Sequence, residues 1–451
     1  MKSARRILLL FLFMGVATVQ GWSQEAPAQA LDNVIIHHAD GSTTDDGTIV
    51  WRNGIIEAAG DDVTIPFDAY VIDGGDSLHV YPGFLDGLAL WGSPDLPDSY
   101  EQPERPGEPG YERAGIQPER QPSKLLNTED SNLETAQKQG FTTAALGLKG
   151  QMLPGQIDLF FVNGSSTDEH LYKESLALHG QFEEAPGGWG SGAYPATLMG
   201  IMAELRQLWY DATALQEHAN YYASNSDSYP APKKDGWFLK LCFRSWAGSN
   251  RFIFAGGREK ENIERLFWLK DELGFNVVVV SGKEAHEKAE ELEQRDIPVL
   301  ASIDLPEEPE WNVKEEETEE SEKKASEMEE VTEEMRIFRE KQLAAYQTSI
   351  ENISKLIEAG VKVGYASNGM ELSELSKNVK TLIEGTDLTE QQILGMLTQH
   401  TADILGVGSR LGDLRQGRIA SFSVFNKPFT EEKAAVKCSV SNGQITEFDE
   451  E

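Results

Sequence analysis

The chain has 451 residues, of which 39% are hydrophobic, and a formal net charge of −35 at pH 7. This length exceeds one small domain and suits a barrel of roughly 250 residues with a second domain. The negative charge argues against nucleic acid as a partner, because phosphates would be repelled. The two cysteines, Cys242 and Cys438, exclude a disulfide framework and leave a single bridge open.

The first residues have the pattern of a secretory signal peptide. The cations Lys2, Arg5 and Arg6 precede an apolar run over residues 7–19, and small and polar residues follow. That run is too short to span a bilayer, which needs about 20 residues. We therefore expect residues 1–24 to be removed and the remaining chain, without a membrane span, to be exported to the periplasm or secreted.

The two ends of the mature chain share a β-type pattern. Asn53-Gly54 and Asn442-Gly443 each lie between short apolar runs, which favours type I′ hairpin turns with two positive φ angles. Each terminal segment is too small to fold alone. The sequence therefore predicts that residues 25–80 and 403–451 pair into one small β-sandwich domain.

The middle of the chain alternates between helical and strand-like segments. Helices are predicted over residues 125–139, 259–273, 283–294 and 342–359, and strands over 141–146, 251–255, 277–280, 297–301 and 361–365. Fully apolar strands that alternate with helices favour a parallel sheet. The number of units predicts an α/β fold, a (β/α)8 TIM-like barrel over residues 81–402.

Two inserts interrupt the predicted barrel. Residues 94–122 contain 7 of the 19 prolines and should form an irregular loop after the first barrel strand. Residues 307–334 contain 14 Glu and 3 Lys, which favours a mobile loop or a solvated helix and leaves a docking role open. A glycine-rich loop at residues 187–192 is expected over the barrel mouth, where Trp189 could grip a ligand.

Motifs at both ends of the predicted barrel carry a resemblance to a known family. They are Ile65-Pro66, Val71-Ile72-Asp73 and Tyr81-Pro82-Gly83-Phe84-Leu85-Asp86 on one side, and Ala402-Asp403-Ile404-Leu405-Gly406, Arg410-Leu411-Gly412 and Gln416-Gly417-Arg418-Ile419-Ala420 on the other. In this order they resemble the amidohydrolase superfamily, specifically exported relatives of imidazolonepropionase. The resemblance implies the barrel and sandwich fold and hydrolysis of C–N bonds other than peptide bonds, in cyclic amides or dipeptide-like substrates.

The resemblance also implies zinc or another divalent metal, held by a His-x-His pair after the first strand, a Lys or Glu on the fourth, His on the fifth and sixth, and Asp on the eighth. The positions that match the first, fifth, sixth and eighth strands are Leu88, Leu90, Gly256, Gly282 and Asn368. Leucine and glycine side chains cannot coordinate such an ion. The sequence therefore predicts no resident metal and an impaired or inactive site.

Other residues do not rebuild this metal site in the sequence. The only candidate on the fourth strand is the region 237–243 with Lys240, and none of the eight histidines is expected at the end of a barrel strand. Each histidine is interpreted as a surface or structural imidazole. The polar groups expected near the mouth are Asp86, Arg258, Lys283 and Glu284, and no catalytic residue is assigned.

Three interpretations follow from the resemblance. The chain is a degenerate amidohydrolase that binds a ligand, or a working hydrolase with a relocated metal, a single metal or none. Alternatively it is a non-catalytic subunit of a homo- or hetero-oligomer with an intact amidohydrolase, and the acidic insert at residues 307–334 makes the contact.

Overall fold

The structure is a computed structural model and describes residues 26–75, 77–163, 170–187, 193–228, 230–231, 251–257, 259–312 and 332–448. Within these ranges sixteen strands form two eight-stranded sheets. The strands are β1 (Gln29–His37), β2 (Thr43–Arg52), β3 (Ile55–Gly60), β4 (Tyr70–Asp73), β5 (His79–Pro82), β6 (Phe84–Ala89), β7 (Phe141–Leu146), β8 (Gly155–Phe161), β9 (Leu171–Gly180), β10 (Arg251–Phe254), β11 (Val277–Ser281), β12 (Val299–Ala301), β13 (Val363–Tyr365), β14 (Phe422–Phe425), β15 (Val436–Ser441) and β16 (Gln444–Glu447).

The helices follow mainly the strands of the second sheet. They are α1 (Pro122–Leu125), α2 (Ser131–Lys138), α3 (Leu198–Ser224), α4 (Lys260–Leu273), α5 (Ala289–Gln294), α6 (Glu333–Ile350), α7 (Asn352–Glu358), α8 (Leu375–Gly385), α9 (Glu390–Gly395) and α10 (Thr401–Leu405), with 3-10 turns at Ala285–Lys288 and Leu372–Glu374 and a π turn at Met396–His400. Among the helices of the described ranges, none combines the length and the apolar character needed to cross a membrane.

The first sheet joins the two ends of the chain. Its order is β16-β15-β14-β5-β1-β2-β3, and β4 pairs with β1. The junction is the antiparallel pair β5 and β14, in which Val80 lies opposite Val424. Both predicted Asn-Gly turns have positive φ at both residues, since Asn53 and Gly54 are at 50° and 75° and the second turn is similar. The pairing of the two terminal segments is confirmed as one sheet.

The second sheet runs in chain order from β6 to β13. Neighbouring strands are parallel except at β8, which is antiparallel to both β7 and β9. The prediction of a parallel sheet is wrong at this strand. The reason is the connection over residues 147–154, because a parallel crossover needs a dozen residues or more.

The two faces of the second sheet bury different clusters, since successive side chains of a strand point to opposite sides. Val279 packs in an outer cluster with Ile263 of α4 and other helical residues. Val278, Leu300 and Leu88 belong to an inner cluster that lies within the curve of the sheet. The inner cluster thus includes Leu88, one of the positions at which the resemblance implies a metal ligand.

The two edge strands of the second sheet meet. The backbone N–H of Asn368, just after β13, donates to the Leu88 carbonyl of β6 at 2.9 Å. The backbone N–H of Ser367 donates to the Asp86 carboxylate at 3.1 and 3.2 Å. The first and eighth strands of the sheet are therefore in direct contact at their carboxyl ends.

Several predicted helices have different bounds. The predicted helix 125–139 begins only at Ser131, where the Asp130 carboxylate caps the helix by accepting from the Asn132 N–H at 2.8 Å. The predicted helix 342–359 is two helices, α6 and α7, and the predicted helix 283–294 starts as a 3-10 turn. The end of α4 at Gly274, in the left-handed conformation with φ 76°, is as predicted.

The two inserts differ in what the structure describes. Residues 94–121 contain turns and irregular backbone with a single isolated bridge from Ile116 to Leu153, which agrees with the predicted loop. Of the acidic insert, residues 313–331 lie outside the described residues, so its predicted mobility and docking role stay predictions.

Candidate functional site

A cavity of about 660 Å³ opens at the carboxyl ends of the parallel strands, and we call it the mouth cavity. Its lining comes from the segments after β6, β7 and β9 and includes Leu90, Lys149, Gln181, Phe182 and Glu183. In barrels of parallel strands the carboxyl ends carry the functional residues. The mouth cavity is therefore the candidate site.

Of the two first-strand positions, only Leu90 lines the mouth cavity. Leu88 is fully buried in the inner cluster, and Leu90 is half-buried and lines the cavity. Asn368, at the eighth-strand position, is half-buried with a left-handed backbone, φ 42°, and its N–H is the donor to Leu88 described above. A backbone hydrogen bond thus brings Leu88 and Asn368 together. Leu88 and Leu90 place alkyl groups where the resemblance implies metal ligands.

The fifth- and sixth-strand positions leave no room for a side chain. A Cβ on Gly256 would lie 2.7 Å from Phe254 Cε1 and 2.9 Å from the backbone nitrogen of Phe182. A Cβ on Gly282, whose φ is +55°, would lie 2.9 Å from a methyl carbon of Val299. Contacts under about 3 Å require the surroundings to shift, so neither position accepts a histidine on this backbone.

Asp86 is a buried carboxylate held by the backbone. It is fully buried, and its oxygens accept the N–H groups of Leu88, at 3.0 Å, and Ser367. Burial raises the pKa of Asp86 to about 6, although hydrogen bonds from Ser367 and Leu88 act in the opposite direction. The neighbouring Tyr365 hydroxyl is also buried, and burial together with the Asp86 charge raises its pKa well above the ordinary range. Asp86 thus fixes the contact between β6 and the residues that follow β13.

The other predicted polar groups are engaged in the scaffold. Lys283 forms a half-exposed ion pair with Asp304 at 2.5 Å, between the ends of β11 and β12. Glu284 accepts the backbone N–H of Lys260 at 3.2 Å, at the first turn of α4. Both side chains therefore have structural partners.

Some predicted residues lie outside the described residues. They are Arg258, Trp189, Cys242 and the region 237–243 with Lys240. Cys438 is a half-buried cysteine on β15 with no disulfide partner in the described part of the chain, and burial raises the pKa of its thiol to about 11.

Sequence reasoning missed His179. It is the penultimate residue of β9, and β9 is the fourth strand of the second sheet in the observed order. The expectation that no histidine lies at the end of such a strand is therefore wrong for His179. The signal in the sequence is the apolar run Leu176-Ala177-Leu178 that ends in His179-Gly180.

His179 faces the two leucines across the inner cluster. A Cβ built on Gly147 would lie 3.3 Å from His179 Nδ1, 2.9 Å from Leu88 and 3.6 Å from Leu90, so the three side chains converge on one point. His179 is 1% exposed, and neither ring nitrogen makes a hydrogen bond of normal geometry with the described residues. Burial lowers its pKa to about 4, and the nearby Leu148 carbonyl opposes this shift. The imidazole is therefore neutral at pH 7 and a weak base.

The residues present do not fit a divalent metal centre. Such a centre needs at least three protein donors. Among the residues that the structure describes, no group of three His, Cys, Asp or Glu side chains has a suitable arrangement. His179 is surrounded by leucines, and Asp86 is occupied by backbone N–H donors. The arrangement offers a buried, neutral imidazole at His179 and, two residues later, Gln181 in the lining of the mouth cavity, which suits binding rather than acid–base chemistry.

Comparisons with known proteins give a family match over part of the chain and a similar fold. Residues 340–446 match the Amidohydrolase family. The structure is similar to an amidohydrolase from Thermotoga maritima MSB8, with 19% identity, 92% of this chain and 99% of that chain covered, and a TM-score of 0.69. It is also similar to a prolidase complexed with N-methylphosphonate-L-proline, with 14% identity, 94% and 100% covered, and a TM-score of 0.50. No curated protein matches the chain in sequence.

Proposed function

We propose that this protein binds a ligand and has lost metal-assisted hydrolysis. The chain matches the Amidohydrolase family over residues 340–446 and shares the fold of a solved amidohydrolase. Its ligand occupies the mouth cavity above Leu90. The family's reaction, hydrolysis of non-peptide C–N bonds, is the ancestral activity in this proposal.

One observation carries the proposal: the side chains that converge on Gly147 are Leu88, Leu90 and His179, whose ring nitrogens make no hydrogen bond of normal geometry with the described residues. Two alkyl groups and one imidazole cannot hold a divalent ion. The crowding at Gly256 and Gly282 supports the same conclusion, because two further positions are filled by neighbouring atoms. A cavity of about 660 Å³ is within the range that small-molecule sites occupy.

We also propose that the second sheet is a closed (β/α)8-type barrel with one inverted strand, β8. The contacts of Ser367 and Asn368 with β6 support closure. In this proposal the barrel spans residues 81–402, and residues 25–80 and 403–451 form the β-sandwich domain. The signal peptide over residues 1–24, export, and an oligomer with an intact amidohydrolase stay predictions.

The proposal is tested with the purified mature chain, a zinc series and a panel of cyclic amides and dipeptides. We expect less than about 0.1 zinc retained per chain after dialysis, no hydrolysis above background, and a rise in Tm with at least one panel compound. Zinc-dependent hydrolysis would refute the loss of the reaction. A panel in which no compound raises Tm would refute ligand binding.

The location of the ligand is tested by filling the cavity. Leu90→Trp should weaken the affinity of a bound panel compound by about tenfold or more, because the larger side chain occupies its space. Met199→Trp is the matched control, since Met199 is 82% exposed on α3. Equal affinities in the two variants would place the ligand elsewhere.

A further inference from the structure

A second cavity, also of about 660 Å³, opens at the opposite end of the second sheet, and we call it the basal cavity. It lies at the amino ends of β11, β12 and β13, beside Asn276, Pro298 and Lys362. The helical run 390–405 covers one side of it through Gln392, His400 and Asp403. The mouth cavity and the basal cavity share no lining residue.

The floor of the basal cavity is apolar. Val277, Val361, Val363 and Ile404 line it, and all four side chains are buried by the surrounding protein. Ile357 of α7 adds a partly buried alkyl group. A ligand that fills this floor therefore carries an apolar side chain.

Two cationic groups belong to the lining of the basal cavity. Lys270, in the last turn of α4, is partly buried and makes no ion pair with a described residue. Arg295 is stacked 4.7 Å over the Phe267 ring, and Asp271 accepts from one of its terminal nitrogens at 3.2 Å. Its other terminal nitrogen donates to the Glu291 carbonyl at 3.4 Å, and its buried Nε is out of reach of a ligand, so Arg295 contributes positive charge to the cavity. A carboxylate is the natural partner of such donors.

One acid of the lining also lacks an ion pair among the described residues. Asp296 is neutralised by Lys362 at 2.7 Å. Asp403 instead accepts from the neutral Gln399 amide at 2.7 Å and is exposed at the rim. A ligand ammonium group would balance Asp403 in the way that a carboxylate would balance Lys270.

We propose that the basal cavity binds a short zwitterionic peptide with apolar side chains. Its carboxylate lies toward Lys270 and Arg295, its ammonium group toward Asp403, and its side chains on the valine floor. The volume suits two or three residues, because small-molecule sites of about 300–1,000 Å³ enclose ligands of that size. This site is independent of the proposed function of the mouth cavity.

The experiment is calorimetric titration of the mature chain with Leu-Leu, N-acetyl-Leu-Leu and Leu-Leu-amide. Each blocked peptide lacks one charge, so we expect each to bind at least about fivefold more weakly than Leu-Leu. Lys270→Met should weaken Leu-Leu and N-acetyl-Leu-Leu and leave the amide unchanged. Asp403→Asn should weaken Leu-Leu and the amide and leave the acetylated peptide unchanged.

Two controls make the outcomes decisive. Lys377→Met removes an exposed cation that lines neither cavity and should leave all three affinities unchanged. Circular dichroism checks that each variant is folded. No saturable binding of Leu-Leu at millimolar concentration overturns the proposal, as does binding that neither Lys270→Met nor Asp403→Asn changes.

Discussion

Two histidines, the half-buried His37 in the first sheet and the buried His179 in the second, have the same direction of pKa shift in opposite surroundings. In the first sheet His37 Nε2 lies 2.9 Å from His79 Nδ1, and its ring stacks on Tyr81 with a centroid distance of 4.2 Å. In the second sheet His179 lies against Leu88 and Leu90 and has no hydrogen bond of normal geometry among the described residues. Burial is the largest cause in both cases and lowers each pKa to about 4.

The difference separates a structural histidine from one without a structural reason. A buried polar group left without a partner costs about 1–3 kcal/mol, whereas a paired one contributes about 1 kcal/mol. The first sheet therefore gains from His37. The second sheet tolerates the buried His179 at a cost. A lowered pKa alone therefore does not identify a functional histidine, and its contacts must be known as well.

The largest expected effect comes from giving His179 two imidazole partners, which removes its contrast with the paired His37. In Leu88→His/Leu90→His three imidazoles converge near Gly147, and we expect about one zinc ion per chain after dialysis, against less than about 0.1 in the wild type. Elemental analysis measures the zinc, and visible absorption of the cobalt form reports tetrahedral geometry. The triple variant with His179→Leu should lose the ion. A double variant that folds and retains no zinc would contradict the convergence of these side chains.

The next effect is the pH dependence of stability. Folded His179 has a pKa of about 4 against 6.5 for the ordinary group, so the unfolded chain binds more protons below pH 6.5. Its contribution is therefore present above pH 6.5 and is lost as the pH falls to about 4, by roughly 3 kcal/mol at most. Urea unfolding at pH 7.5 and 5.0 should show a smaller loss in His179→Leu. An unchanged loss would mean that this imidazole is not buried in the folded protein.

The smallest expected effect is the difference in the free energy of unfolding between variants of His179 and His37 at pH 7.5. His179→Leu should leave the free energy of unfolding unchanged or raise it by about 1 kcal/mol, because an apolar group replaces a polar one without partners. His37→Leu should lower it by about 1 kcal/mol, because His79 loses its partner and Tyr81 its stacked ring. Equal signs in the two variants would remove the distinction between the histidines.

Local patterns were sufficient where the structure depends on neighbours in the chain. Asn53-Gly54, Asn442-Gly443 and Gly274 have the backbone conformations that their residue types favour. The pairing of the terminal segments followed from their shared pattern and small size. The assignment of Leu88 and Leu90 as former metal positions rests on a motif in the sequence and stays a prediction.

Long-range packing was not readable in the same way. Strand β9 was missed because Lys173 and Glu174 interrupt its apolar pattern and Ser175, with φ 49°, bends its backbone. Because no strand was predicted there, His179 could not be recognised as lying at the end of one. The crowding of Gly256 by the backbone of Phe182 joins two segments more than seventy residues apart, and no local pattern encodes such a contact.

The pairing of β5 with β14 also sets an order for synthesis. Strand β5 lies between β1 and β14, so its edge stays unpaired until residues 422–425 have left the ribosome. Exposed strand edges are templates for aggregation, and a nascent chain carries this one for more than three hundred residues. A chain cut short before β14 would expose the same edge permanently. Synthesis of β14 is therefore required before the edge of β5 is paired, and copies truncated before β14 should be the ones that chaperones and proteases remove.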